Sequence, residues 1–393
     1  MQYRNYGKLG YQVSALGMGC MRFPRIYSEN GTAAVDREKA FEMIRYAVDH
    51  GITYFDNAYS YHNKTSEDVL GEALDGGLRE KVKIATKQLF GTMKDLSSSG
   101  VMTILDNVRH NLEITLQRLR TSYIDAYLIH NINAATWEGI KNTKIIEEYE
   151  KFRAEGLIRA IGFSYHGDFS LFKEVLEFYD WDMCQVQYNV IDMDKEVTVE
   201  GIRLAGKKGC ALAVMEPLRG GCLAIPPGRI QAIYDEFPVK RSAVEWALRH
   251  VLDYSEVSVV LSGMSSMEQL KENIEICSKA DAVPGCIGTK ERELLARVKD
   301  VYESVSSIPC TACEYCLPCP QGVDIPGVFT RYNDANMFES FDQPKRSYFF
   351  LKRQKKDATL CAACGACEKK CPQHIEIIKA LKTANEALKD WIE

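Results

Sequence analysis

No stretch of the 393 residues approaches the roughly 18 consecutive apolar positions of a membrane-spanning helix, and the opening Met1-Gln2-Tyr3-Arg4-Asn5-Tyr6 is polar rather than leader-like. A basic excess is missing as well. The formal net charge is -5 with 26% charged residues of both signs, so neither a stripe for nucleic acid nor an acidic tail is present. There is no low-complexity tract, and no Gly-x-Gly-x-x-Gly turn of the kind that opens a doubly wound dinucleotide-binding sheet. These absences predict a cytoplasmic protein with no membrane and no nucleic-acid partner.

What the chain does contain is alternation, within an ordinary 46% hydrophobic composition. After a hairpin-like start from Tyr3 to Ser14, short apolar runs read as strands at Ala15–Gly19, Tyr54–Asp56, Val82–Lys87, Ile124–His130, Ala160–Ser164, Met183–Gln187, Ala211–Met215 and Val257–Ser262. Stretches of helical spacing separate them, as in Ala40, Phe41, Ile44, Ala47 and Val48. Eight strand-helix pairs predict an α/β protein with a (β/α)8 TIM barrel over residues 1–285. A linking helix over 286–305 and a smaller, cysteine-rich α-helical domain over 306–393 follow.

In such a barrel, catalytic groups collect at the C-terminal ends of the strands. Asp56, Lys87 and His130 are read as the last residues of the second, third and fourth strands, and Tyr61 lies in the loop just past Asp56. Any one of them alone reads as a capping, core or ion-pair residue. Together, in this order, they read as a site.

The pieces Phe55-Asp56-Asn57-Ala58 with Tyr61, Ala85-Thr86-Lys87, Tyr127-Leu128-Ile129-His130, Gly162-Phe163-Ser164 and Gln185 within Cys184–Asn189 resemble the aldo-keto reductase family. The resemblance implies that Tyr61 is the general acid, that Lys87 lowers its pKa, that Asp56 holds Lys87, and that His130 orients a carbonyl substrate. It also implies an NADP(H) or NAD(H) cofactor, with the nicotinamide held by Ser164 and Gln185. His166 stands near the position where the family has Asn, and Met215 where it has a stacking Tyr. Arg219 with Gly220 and Gly221 would wrap the pyrophosphate, or form an ordinary turn with a solvated arginine, and Pro217 and Leu218 beside them are further cofactor-binding candidates. Gly263 and Gln269 would occupy the 2'-phosphate positions, where the usual basic residues are absent, and Asn273 is a further cofactor-binding candidate.

Eight of the 14 cysteines crowd into two runs, Cys310-x2-Cys313-x2-Cys316-x2-Cys319-Pro320 and Cys361-x2-Cys364-x2-Cys367-x3-Cys371-Pro372. The second has bacterial ferredoxin spacing, in which the fourth cysteine serves the other cluster. The resemblance is to iron-sulfur members of the family with a C-terminal two-cluster [4Fe-4S] ferredoxin-like domain. It implies Cys310, Cys313, Cys316 and Cys371 on one cluster and Cys361, Cys364, Cys367 and Cys319 on the other. Two zinc sites remain an alternative reading of the cysteines.

The leading expectation is an enzyme that interconverts a carbonyl and an alcohol by hydride transfer. A hydride carries two electrons and a cluster moves one, and no flavin motif converts between them. The alternatives are a reductase fed through its clusters by an acidic one-electron carrier, a ferredoxin or flavodoxin, and a non-enzymatic redox or oxygen sensor. Lys345-Arg346, Lys352-Arg353 and Lys355-Lys356 would dock such a carrier.

Overall fold

Eight parallel strands close on one another in the first of two units: β1 (Leu16–Gly19), β2 (Tyr54–Asp56), β3 (Lys83–Leu89), β4 (Ala126–Ile132), β5 (Ile161–Tyr165), β6 (Met183–Gln187), β7 (Ala211–Met215) and β8 (Val257–Ser262). This is the expected (β/α)8 barrel. Each strand pairs with the next in sequence, and β8 returns to β1 through Leu261 opposite Gly17. The computed structural model describes residues 1–27, 33–89, 101–305, 307–310 and 315–391. Cys313 and the loop from Phe90 to Gly100, a candidate for substrate selection, lie outside them.

Capping residues set several helix starts. Asp36 accepts from the Lys39 N–H at 3.2 Å to begin α1 (Arg37–Asp49), and α2 (Ser66–Ala73) and α3 (Val101–Arg118) follow β2 and β3. The fourth and fifth helices are α4 (Ile145–Ala154) and α5 (Phe169–Phe178), and Asp168 caps α5 by accepting from Leu171 N–H at 2.9 Å. The outer ring ends with α6 (Thr198–Lys207), α7 (Ala243–Leu252) and α8 (Met267–Ser278).

The barrel is packed, not hollow. Side chains alternate along a strand, and the inward-facing ones at Tyr54, Ala85, Ala126, Leu128, Ala160, Met183, Ala211, Ala213, Val259 and Leu261 form one buried cluster. An antiparallel hairpin, Tyr3–Asn5 against Gln12–Ser14, closes the N-terminal end and sends Tyr6 and Val13 into that cluster. Gly7 permits the approach: at φ +52, a Cβ there would sit 2.4 Å from the Ala211 nitrogen. Small residues at Ala85, Ala126 and Ala160 make room for the tyrosines. The C-terminal end is left for chemistry.

Parity then determines what appears there. Two residues beyond the inward-facing Tyr54, Ala85, Leu128, Gly162, Met183, Ala213 and Leu261 stand Asp56, Lys87, His130, Ser164, Gln185, Met215 and Gly263. Two strands end two residues later than the sequence suggests. The β3–β4 ladder continues past Lys87 opposite Leu128 to Leu89 opposite His130, and β4 reaches Ile132. Lys87 is therefore held inside its strand, while His130 is the last residue of β4 paired with β3 and lies where the β4–β5 register shifts between Ile129 and Ile132.

The second unit comprises Cys222–Ala243 and Lys290–Glu393. It contains a helix at Gly228–Asp235, α9 (Thr289–Ser304), α10 (Ile325–Met337), α11 (Asp342–Arg353) and α12 (Ile377–Leu388). Arg297 pairs with Glu236 at 2.7 Å, and Arg229 donates to the Met337 carbonyl at 2.7 Å. On α12 the buried residues are Ile377, Leu381, Ala384 and Leu388, one apolar stripe facing Val323, Ile325, Val328 and Phe329. Among the described residues no helix is long and apolar enough to cross a membrane.

Candidate active site

At the open end of the barrel, the Lys87 ammonium donates to both Asp56 carboxylate oxygens at 2.7 Å and to the Asn57 carbonyl at 2.7 Å. The fourth neighbour is the Tyr61 hydroxyl at 3.4 Å, and the ammonium lies 5.0 Å from the centre of that ring. His130 meets Tyr61 edge to face, with ring centres 6.3 Å apart. The four residues singled out in the sequence are thus brought together.

Three consecutive left-handed residues follow Tyr61: His62 (φ 48), Asn63 (φ 53) and Lys64 (φ 71). Such a turn costs roughly 1–2 kcal/mol per non-glycine residue. It is anchored by the Phe23 N–H donating to His62 Nε2 at 3.2 Å and by stacking of the two rings at 5.7 Å.

Burial dominates the electrostatics. It raises the Asp56 carboxyl, against the pull of Lys87. It would lower the Lys87 ammonium, but Asp56 and Tyr61 outweigh it and leave that pKa raised. The phenol of Tyr61 was expected below its ordinary value. It is raised instead, because burial exceeds the effect of Lys87, whose charge is largely taken up by Asp56. Burial, then Lys87 and His166, push His130 down to about 3. At neutral pH the site presents a protonated phenol and a neutral imidazole.

Beside the tetrad, Ser164 and Gln185 are register partners on β5 and β6, and both are buried. The Gln185 side chain donates from Nε2 to the Met215 sulfur at 3.7 Å, while its Oε1 is buried without a hydrogen-bond partner. A buried unmatched acceptor next to a serine fits a ligand carboxamide. His166 is half-exposed, its Nδ1 3.8 Å from Glu196. After β7, Pro217 is buried and Arg219 pairs with Asp192 at 3.0 Å, so this arginine is fixed rather than freely solvated. Glu216, Arg219, Gly220 and Gly221 all have positive φ, which makes the turn after Met215 unusually tight. Leu218 lies within it. Two further candidates are engaged locally: Gln269 Oε1 accepts from Ser265 N–H at 2.8 Å, closing the first turn of α8, and Asn273 donates to Ser262 Oγ at 2.8 Å.

Two supporting residues escaped the sequence reading. Asn57, fully buried, donates to the Ser66 carbonyl at 3.2 Å and fixes the loop whose carbonyl receives Lys87. Glu67, also buried, accepts from Thr86 at 2.7 Å and braces the outer side of β3 behind Lys87. Asn57 lies inside the motif piece Phe55-Asp56-Asn57-Ala58, whereas Glu67, set between the polar Ser66 and Asp68, carries no signal in the sequence.

In the second unit, one small pocket is lined by Cys310, Cys316 and Cys371 with Ile325, Phe329 and Ile375. A second is lined by Cys319, Cys361, Cys364 and Cys367 with Val323 and Leu381. The last cysteine of each run thus lines the cavity of the other run. Among the described residues no three His, Cys, Asp or Glu side chains form a group suited to a single metal ion.

A model of the aldo/keto reductase family matches residues 15–282, which include every residue of the tetrad. The chain belongs to the aldo/keto reductase family. It is an oxidoreductase, and a 4Fe-4S dicluster domain model matches residues 309–376, across both cysteine runs. Uncharacterized oxidoreductase YqkF of Bacillus subtilis is 26% identical over 298 residues, 70% of this chain and 90% of its own. Pyridoxal 4-dehydrogenase of Microbacterium luteolum is 26% identical over 324 residues, 69% and 91% of the two chains. The holo form of aldo-keto reductase AKR11C1 from Bacillus halodurans superposes with a TM-score of 0.60 at 25% identity, covering 76% of this chain and 96% of that one. An aldo-keto reductase from Klebsiella pneumoniae in complex with NADPH shares the fold at a TM-score of 0.58 and 20% identity, covering 76% and 96%.

Proposed function

We propose that the barrel reduces a carbonyl to an alcohol with a nicotinamide dinucleotide, and that the second unit carries two [4Fe-4S] clusters. The observation that carries the first half is Lys87, bonded to both Asp56 oxygens and within 3.4 Å of a phenol that faces a neutral imidazole. A nicotinamide held by Ser164 and Gln185 would supply the hydride for the new C–H bond. Tyr61 then gives its proton to the carbonyl oxygen as charge builds there, and Lys87 stabilises the phenolate until solvent returns the proton. His130, neutral, holds the oxygen through one N–H without adding charge. Ser164 and Gln185 orient the carboxamide so that one face of the ring is presented. The NADPH complex of the Klebsiella relative supports the phosphorylated cofactor.

A test separates chemistry from binding. Tyr61→Phe should lower kcat by about 10²- to 10⁴-fold with an unchanged Kd for NADPH; undiminished turnover would sink the tetrad.

For the second unit, the exchange of Cys319 and Cys371 between cavities supports two cubes held in the ferredoxin manner, with Cys310, Cys313, Cys316 and Cys371 on one and Cys319, Cys361, Cys364 and Cys367 on the other. Cys364 is exposed, and so are Lys352, Lys355, Lys356, Lys369 and Lys370. That surface favours one-electron exchange with an acidic carrier of ferredoxin or flavodoxin type. Charge reversal at Lys355 and Lys356 should slow reduction by such a carrier; an unchanged rate would exclude docking there.

A further inference from the structure

We infer that Arg22, which leaves the barrel after β1, is the cation that binds a phosphate group of the dinucleotide at the ends of β7 and β8. This rests on the reading of the barrel as a nicotinamide-dinucleotide site. The side chain crosses two strand ends to get there. A Cβ placed on Gly263, just after β8, would lie 2.9, 3.1 and 3.2 Å from Arg22 Cδ, Cγ and Cβ, so the aliphatic stem lies flat on that glycine. A Cβ placed on Gly220, in the turn after β7, would lie 3.1 Å from Arg22 Nη2, so the guanidinium ends against that turn.

The backbone that carries Arg22 is held on both sides. The carbonyl of the preceding turn residue Cys20 accepts from Ser66 Oγ at 2.9 Å, and Phe23 is bonded to His62 at 3.2 Å. Among the described residues no carboxylate pairs with the guanidinium and no hydrogen bond uses it, although Glu216 Oε2 lies 3.7 Å from the same Gly220 position. A half-buried arginine, fixed at its root, laid along a glycine and left without a counter-charge is built for an anion. In parallel α/β barrels the loops after the seventh and eighth strands frequently bind phosphate, and a guanidinium matches phosphate with two parallel hydrogen bonds. The turn at Gly220 and Gly221 brings bare backbone beside it.

Gly263 thereby gains a different meaning from that of a vacated basic position. Its lack of a side chain is what lets a cation from the other end of the barrel sequence lie over β8.

The test is an anaerobic titration of the full chain with NADPH and with NADH, for wild type, Arg22→Met, Arg22→Lys and Gly263→Ala, at low and high salt. Arg22→Met should weaken binding about ten- to a hundredfold and flatten its salt dependence. Arg22→Lys should recover part, and Gly263→Ala should weaken binding with Arg22 intact, by displacing its stem. Turnover should show raised KM with kcat within about twofold. Equal losses with both cofactors assign the pyrophosphate, and loss with NADPH alone assigns the 2'-phosphate; either supports the inference. Unchanged affinity for both in a folded Arg22→Met variant overturns it while leaving the barrel reading intact. Wild-type protein that binds neither cofactor would refute that reading, and this inference with it.

Discussion

Lys87 and Asp56 share two hydrogen bonds of 2.7 Å with almost no exposure, the lysine side chain at 0% and the aspartate at 5%. Two charges taken out of water together are costly to separate. Lys87→Met leaves a buried carboxylate without its partner and should destabilise the barrel by about 3–5 kcal/mol. The double variant Lys87→Met with Asp56→Asn should recover a large part of that loss. Denaturant unfolding of the four proteins in the cycle measures it, and a double variant as unstable as the single would contradict the account.

The pH profile should be as distinctive as the stability. With Tyr61 raised and His130 pushed down to about 3, carbonyl reduction should show no inflection near 6.5 and decline only on the alkaline side. Alcohol oxidation, which needs the phenolate, should rise there. The histidines also set acid stability, since His130 and His62, the latter pushed down to about 4, prefer to be neutral when folded. Their contribution is complete above the unfolded value near 6.5 and is lost as pH falls toward 4 and then 3. Unfolding followed from pH 8 to 4 should show this loss, and His62→Asn should reduce it.

Cys371 is the discriminating cysteine of the second unit because it follows one run and lines the cavity of the other. Cys371→Ala should remove the cluster of Cys310 and Cys316, lowering iron from about eight per chain toward four. The cluster of Cys361, Cys364 and Cys367 should keep its spectroscopic signature. Loss of that signature instead would assign Cys371 to its own run.

Much of the site was legible because a strand's period of two survives in sequence. Ala85 and Lys87, or Leu128 and His130, stand two apart, core residue then site residue. Strand ends were less legible, since strands buried on both faces carry no polar alternation and the ladder to Leu89 is set by a neighbour. The direction of the Tyr61 shift depends on burial, which no motif encodes. Arg22 was invisible for a related reason: its path is recorded in what Gly263 lacks. Gln269 lies three residues after Ser266, and its bonds to the Ser265 N–H and Ser266 Oγ close a helix turn whose geometry the sequence spacing alone does not display.

The excursion of residues 222–243 into the second unit has a consequence for how the chain comes apart. The backbone passes between the units at 221–222, 243–244 and 289–290, so the second unit is threaded through the barrel sequence instead of hung from its end. A protease cut at 289 would free a fragment still gripping a helix that belongs to the other piece, through Arg297 to Glu236 and Arg229 to Met337. A gene shortened at that point would likewise leave Ile230, Ile233 and Tyr234, buried in the intact protein, without the helices they accompany.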